Sequence, residues 1–297
     1  MTPMLFALAA LTLTAQPMPT SDIELSFDGL SEDGQVDFEK AAMVWERCLV
    51  SEAPIRIRVS KIDRGPTGFA YQNVVRNKRY LPVKDAWYPT ALASALRGKR
   101  VSDEDDINIF IKEEMGDETR HYSRNDPIPE DGVDMINVAL HEIGHGLGLS
   151  SATFVPWEGE PLGAIGRPNG FVNYFNYSFT LHEQDGTPQL YDTFLKLADG
   201  RKITEDFGNP SLGLTFALAN PTIHFDGPEA EKANNGFPVG VTPLNVSHIP
   251  AFPRAPTPVM LSNSGRGESI RNPDKIMLGM LRDLGWTITE ACYDRGA

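Results

Sequence analysis

His141-Glu142-Ile143-Gly144-His145 sets two imidazoles four residues apart, with a carboxylate beside the first. On a helix, residues four apart stand one above the other on the same face. Both rings can then reach one ion at about 2.0–2.1 Å, the usual zinc–nitrogen distance. Glu142 lies next to that face. A carboxylate there can take the proton of a metal-bound water as it attacks a carbonyl, then pass it to the leaving amine. The chemistry predicted is metal-assisted hydrolysis. A surface helix with two solvated histidines shares the spacing, so these five residues leave both readings open.

The motif needs a helix, and residues 133–149 supply the pattern for one. Ile136, Leu140, Ile143 and Leu147 form an apolar stripe in steps of four, three and four, offset from the two histidines. Gly144 and Gly146 interrupt it. Each costs about 1 kcal/mol against Ala in a helix interior, which predicts that backbone or substrate approaches closely there. Upstream, residues 23–27 and 54–62 alternate apolar with polar and read as half-buried strands. Residues 37–50 read as an amphipathic helix through Phe38, Ala41, Trp45 and Leu49, and 87–96 as a short helix. Residues 107–111 read as a more buried strand, followed by a polar, turn-rich stretch at 116–132.

Downstream, residues 150–247 combine short strands with many Gly, Asn and Pro, and residues 251–258 form a proline-braced extended stretch. Residues 272–285 give a last amphipathic helix, with Pro273 near its first turn and Gly285 as its stop. This order predicts an α+β fold. No Gly/Ser-rich linker divides it, so residues 22–297 read as one domain with a large insertion at 150–247.

The chain has 297 residues, 27 Lys+Arg against 40 Asp+Glu, and a net charge of −13. That balance excludes a nucleic-acid partner, which needs a basic face. A 41% apolar content is enough for a core, yet no run reaches the ~20 apolar residues of a membrane span. Residues 5–15 have the length and character of a secretory h-region, broken at once by Gln16-Pro17-Met18-Pro19. They predict a signal peptide over 1–15 and a secreted or extracytoplasmic protein; the alternative is an ordinary apolar N-terminal helix. Cys48 and Cys292 are a disulfide if the chain is exported and two core thiols if it is not. Asn176 and Asn245 stand in glycosylation patterns but read as plain loop residues.

Gly148 extends the motif to HExxHxxG, which resembles the metzincin zinc peptidases. In that family the glycine turns the chain sharply toward a third ligand. In the short form of the motif this ligand stands three residues on, where the present chain has Ser151, a poor zinc ligand. Pro258-Val259-Met260-Leu261 is similar to the methionine turn beneath the zinc of these enzymes, and Leu281-Arg282-Asp283-Leu284-Gly285-Trp286 resembles the end of their last helix. The layout is closest to leishmanolysin-like peptidases, which insert a long segment before a third histidine about a dozen residues ahead of the methionine. Here His248 stands twelve residues before Met260. Trp87-Tyr88-Pro89-Thr90-Ala91-Leu92 and Asp106-Ile107-Asn108-Ile109-Phe110 also resemble blocks of secreted bacterial HExxHGLG-type proteins.

The resemblance implies a twisted mixed sheet, an active-site helix and a C-terminal helix. It implies one catalytic Zn²⁺ held by His141, His145 and His248, with Glu142 as general base and Gly148 and Met260 as structural support. Its implied activity is secreted endopeptidase cleavage of protein or peptide substrates. Other third ligands stay open: His121, His182 or His224, or a carboxylate at Glu158 or Glu160. Two other functions also stay open, an inactive zinc-stabilised extracellular binding module and a hydrolase of non-peptide amides or esters.

Overall fold

A computed structural model describes residues 21–114, 120–121, 127–154, 162–166, 171–174, 177–180, 185–251, 257–262 and 266–293. The expected signal segment, His182, Glu158, Glu160 and Asn176 lie outside them. The fold is α+β. Strands β1 (Ile23–Asp28), β2 (Ile55–Lys61), β3 (Gly68–Gln72) and β4 (Ile107–Ile111) form a mixed sheet in the order β1-β2-β4-β3. β1, β2 and β4 run parallel, and β3 closes one edge antiparallel to β4, with Ala70 opposite Ile109. Ile57, Val59, Ile107, Ile109 and Ile111 are fully buried, as period-two alternation toward one covered face requires. β3 carries only weak alternation, Gly-Phe-Ala-Tyr-Gln, and the sequence reading contained no strand there.

Helix α1 (Glu32–Cys48) begins five residues before the expected start at 37. Ser31 caps it by accepting from the Gly34 N–H, and Glu32 and Asp33 complement the helix dipole in the first turn. It also ends earlier, because Leu49–Val50 leaves the helix to pair with Thr287–Ile288. Helix α2 (Thr90–Arg97) starts three residues later than expected. Pro89 holds Tyr88 extended, and the pair bonds to Val74–Val75.

Helix α3 (Met135–Gly146) carries the histidine motif and is shorter than the 133–149 expected. Asp134 caps it at the Ile136 N–H. Every residue of α3 is buried, so it is a central helix rather than an amphipathic surface one. α1 packs on one side of it and β3 and β4 on the other. This corrects the reading of its glycines. A Cβ on Gly144 would fall 2.3 Å from Met277 Cε, and one on Gly146 would fall 2.2 Å from Ile107 Cγ2. Core side chains make the close approach, not backbone or substrate.

The segment at 150–247 contains helices α4 (Leu212–Leu218) and α5 (Pro228–Ala233). Its small antiparallel sheet joins Leu195–Lys196, His224–Phe225 and Val239–Gly240. Helix α6 (Lys275–Leu284) packs against α5, and its Asp283 accepts the N–H groups of Glu229 and Ala230 at the α5 N-terminus. Buried apolar residues from Ile23 to Cys292 form one contiguous cluster that includes Leu195, Phe225 and Val239 of this segment. Among the described residues no helix is long and apolar enough to cross a membrane.

Cys48, at the end of α1, is disulfide-bonded to Cys292, 244 residues away. A cross-link over so long a loop limits the unfolded chain strongly. Replacing both cysteines with alanine should lower stability by about 2–4 kcal/mol in denaturant unfolding; an unchanged midpoint would show the bond to be energetically idle.

Candidate metal centre

His141 and His145 project from one face of α3, and the chain returns about a hundred residues later to set His248 beside them. Ring centroids lie 4.6 Å (His141–His145), 5.2 Å (His141–His248) and 4.8 Å (His145–His248) apart. One nitrogen from each ring falls within 4.8 Å of the others. His145 Nε2 and His248 Nε2 are 3.2 Å apart, near the roughly 3.3 Å that two nitrogens keep on a tetrahedral zinc.

The outer side of each ring is tied to an oxygen. His141 Nδ1 donates to the Val259 carbonyl at 2.7 Å, His145 Nδ1 to the Leu149 carbonyl at 2.7 Å, and His248 Nδ1 to Asn245 Oδ1 at 2.8 Å. An oxygen acceptor fixes the proton on Nδ1 and leaves Nε2 as a lone pair. Three lone pairs therefore converge, and two of them oppose each other at 3.2 Å. A cation relieves that opposition, and outer-shell acceptors of this kind are what metal-ligating histidines use. Burial holds all three rings toward the neutral form. It lowers the pKa of His141, puts His145 well below its usual value with help from the neighbouring rings, and brings His248 to about 4. The donor set fits a divalent, imidazole-loving metal such as zinc.

Local structure explains the ring positions. Gly148 has φ +123°, a conformation L side chains avoid. It turns the chain so that the Leu149 carbonyl comes back to His145. The Val259–Met260 turn lies under the helix, with Met260 Sδ close beneath Gly144 and only 1% of Met260 exposed. Its two carbonyls brace two of the rings: Val259 O holds His141, and Met260 O accepts from Ile249 N–H at 2.8 Å, next to His248. The Val259 N–H is in turn anchored on Asp274, the α6 cap.

Glu142 faces the same space. It is buried, and among the described residues its Oε2 has no hydrogen-bond partner. Burial pushes its carboxyl up to about 8. The site opens into a cleft of about 600 Å³, bounded by residues 65–70 of the edge strand and its approach, by α3, by Asn245 to His248, and by Leu261, Ser262 and Arg266.

No family model, curated protein or solved structure matches this chain. The site therefore stands on its geometry.

Among the described residues, His224 and Ser151 point to other partners, while His182, Glu158 and Glu160 lie outside them. His224 pairs within the small sheet and bonds its own loop at the Thr222 carbonyl. The His121 backbone pairs with Asp134 ahead of α3. Ser151 turns its hydroxyl to Asp192. The sequence reading did not identify the oxygen partners of the three rings. Asn245, three residues before His248, had a legible signal; the carbonyls of Leu149 and Val259 had none, since every residue carries one. It also missed the edge strand that walls the cleft.

Proposed function

We propose that this chain is an exported zinc-dependent endopeptidase of metzincin type, closest in layout to the leishmanolysin-like peptidases. The observation that carries it is a buried Glu142 oxygen, without a partner among the described residues, beside three converging imidazole nitrogens in an open cleft. His141, His145 and His248 are the ligands. When bound there, zinc supplies Lewis acidity, bringing a coordinated water to a pKa of about 7 and polarising a carbonyl oxygen. Glu142 accepts the proton of the attacking water and returns it to the leaving amine. Its buried setting favours holding that proton between the two steps. The outer edge of β3 lies along the cleft and offers main-chain groups to an extended peptide.

The test combines metal analysis with a substrate panel. Purified protein should carry about one zinc per chain and cleave casein or peptides, with chelator abolishing cleavage and zinc restoring it. Zinc without hydrolysis of any substrate would favour a binding module; hydrolysis of esters or simple amides alone would favour a non-peptide hydrolase.

Gly68 offers a finer check. A Cβ there would fall 2.7 Å from Glu142 Oε1, so only glycine leaves the carboxylate in place. Gly68→Ala should keep zinc but lower kcat by up to about 100-fold, the scale of a 1 Å misplacement. Unchanged kcat would mean that the carboxylate's position is not critical.

A further inference from the structure

The short motif's ligand position is occupied by Ser151, and what Ser151 does instead is informative. Its backbone N–H donates to Ser247 Oγ at 3.0 Å, on the residue just before His248. Its hydroxyl donates to Asp192 Oδ1 at 2.5 Å. Asp192 belongs to the 3₁₀ turn Leu190–Phe194 and is fully buried. Its other oxygen accepts from Ala152 N–H at 3.1 Å and Gln189 N–H at 2.9 Å. The neighbouring Tyr191 is also buried and donates its hydroxyl to the Val246 carbonyl at 2.7 Å.

The turn is itself fixed to the body of the domain. Leu190 N–H donates to Trp87 O, Trp87 N–H to Pro188 O, and Gln72 of the edge strand to Gln189 Oε1 at 2.6 Å. Asp192 has no ion-pair partner among the described residues, unlike the buried carboxylates of Asp106 and Asp134, which face Arg100 and Arg271. Burying a carboxylate without a cation is costly. Hydrogen bonds from Ser151, Ala152 and Gln189 compensate for this burial and tie Asp192 to the exit from α3. The approach to His248 is held from the same place by Tyr191 at Val246 and by the Ser151 N–H at Ser247.

We propose that Tyr191 and Asp192 are positioning residues for the third metal ligand: through Val246, and through Ser151 and Ser247, they register the returning chain so that His248 meets His141 and His145. The inference rests on the metal-site reading above and adds how a ligand reaches a helix across nearly a hundred residues. Neither side chain touches the metal or the substrate. Their effect is on the place of one imidazole.

A double-mutant cycle tests it, with zinc affinity measured by chelator competition and ligand number by the visible spectrum of the cobalt-loaded protein. In Asp192→Ala, the Ser151 hydroxyl and the N–H groups of Ala152 and Gln189 lose their shared acceptor. Zinc affinity should fall about 10–100-fold, the range for lost outer-shell partners, and the cobalt spectrum should shift toward that of His248→Ala. In the His248→Ala background the same substitution should change affinity little, because its effect runs through His248. Tyr191→Phe, which removes one hydroxyl and keeps the ring, should act in the same direction and serves alone if Asp192→Ala does not fold. Equal losses in both backgrounds, or none in either, would overturn the inference while leaving the metal site standing. A wild-type chain that binds no zinc would instead overturn the metal reading, and the inference with it.

Discussion

His248→Ala is expected to remove metal and activity together. His141 and His145 alone leave two protein ligands, and zinc in enzymes ordinarily takes three. His248 Nε2 lies 3.2 Å from His145 Nε2, with its Nδ1 held by Asn245. Losing an outer-shell partner costs about 10–100-fold in affinity, so losing the ligand itself should cost more than about 100-fold. Equilibrium dialysis against a zinc buffer measures this directly. His224→Ala is the control: that ring bonds Thr222 on its own loop, and its loss should leave affinity unchanged. Zinc retention in His248→Ala at wild-type affinity would refute the three-histidine site.

Glu142→Gln should separate chemistry from metal binding. The amide has nearly the same shape as the carboxylate but cannot take a proton from water. Zinc content should stay at the wild-type level, and kcat/KM should drop by about 10²–10⁴-fold, the typical contribution of a general acid–base group. The carboxylate reaches no hydrogen-bond partner with Oε2 among the described residues, and the absent Cβ of Gly68 leaves the room that Oε1 occupies. Fold stability therefore draws little on it, and a thermal scan should show the variant folded. A variant that cleaves at the wild-type rate would remove Glu142 from the mechanism. Loss of zinc along with activity would instead show that the carboxylate helps to hold the ion.

How far the sequence could be read depended on the range of the interaction. Period-two alternation placed β1, β2 and β4 to within two residues, because exposure to one buried face acts on each residue in turn. The interiors of α1, α2, α3 and α6 were equally legible, but their ends were not, and α4 and α5 lie in a segment read as short strands alone. Ser31 and Asp134 start helices through single hydrogen bonds, which leave only a weak trace in composition. β3 escaped notice because Gly68, Phe69, Ala70 and Tyr71 are all half-buried, so no alternation of apolar and polar residues marks the strand.

At the site, the pairing of His141 with His145 was fixed by helical geometry, since a spacing of four puts both rings on one face whatever surrounds them. Which residue completes them was not fixed that way. Spacing offered His121, His182, His224, Glu158 and Glu160 beside His248, and only a family resemblance ranked them. The folded chain brings His248 to the helix through the Tyr191 and Asp192 contacts, which join residues 55 and 41 apart in sequence, and through the bond from Ile249 to Met260 O. The carbonyls that orient His141 and His145 come from Val259 and Leu149, and side chains at those positions have no part in it. The sequence by itself determined a helix with two imidazoles and a carboxylate in register, because that depends on a local repeat. The third ring, its tautomer and the space left for Glu142 were decided only by the tertiary structure, because they depend on where distant backbone comes to rest.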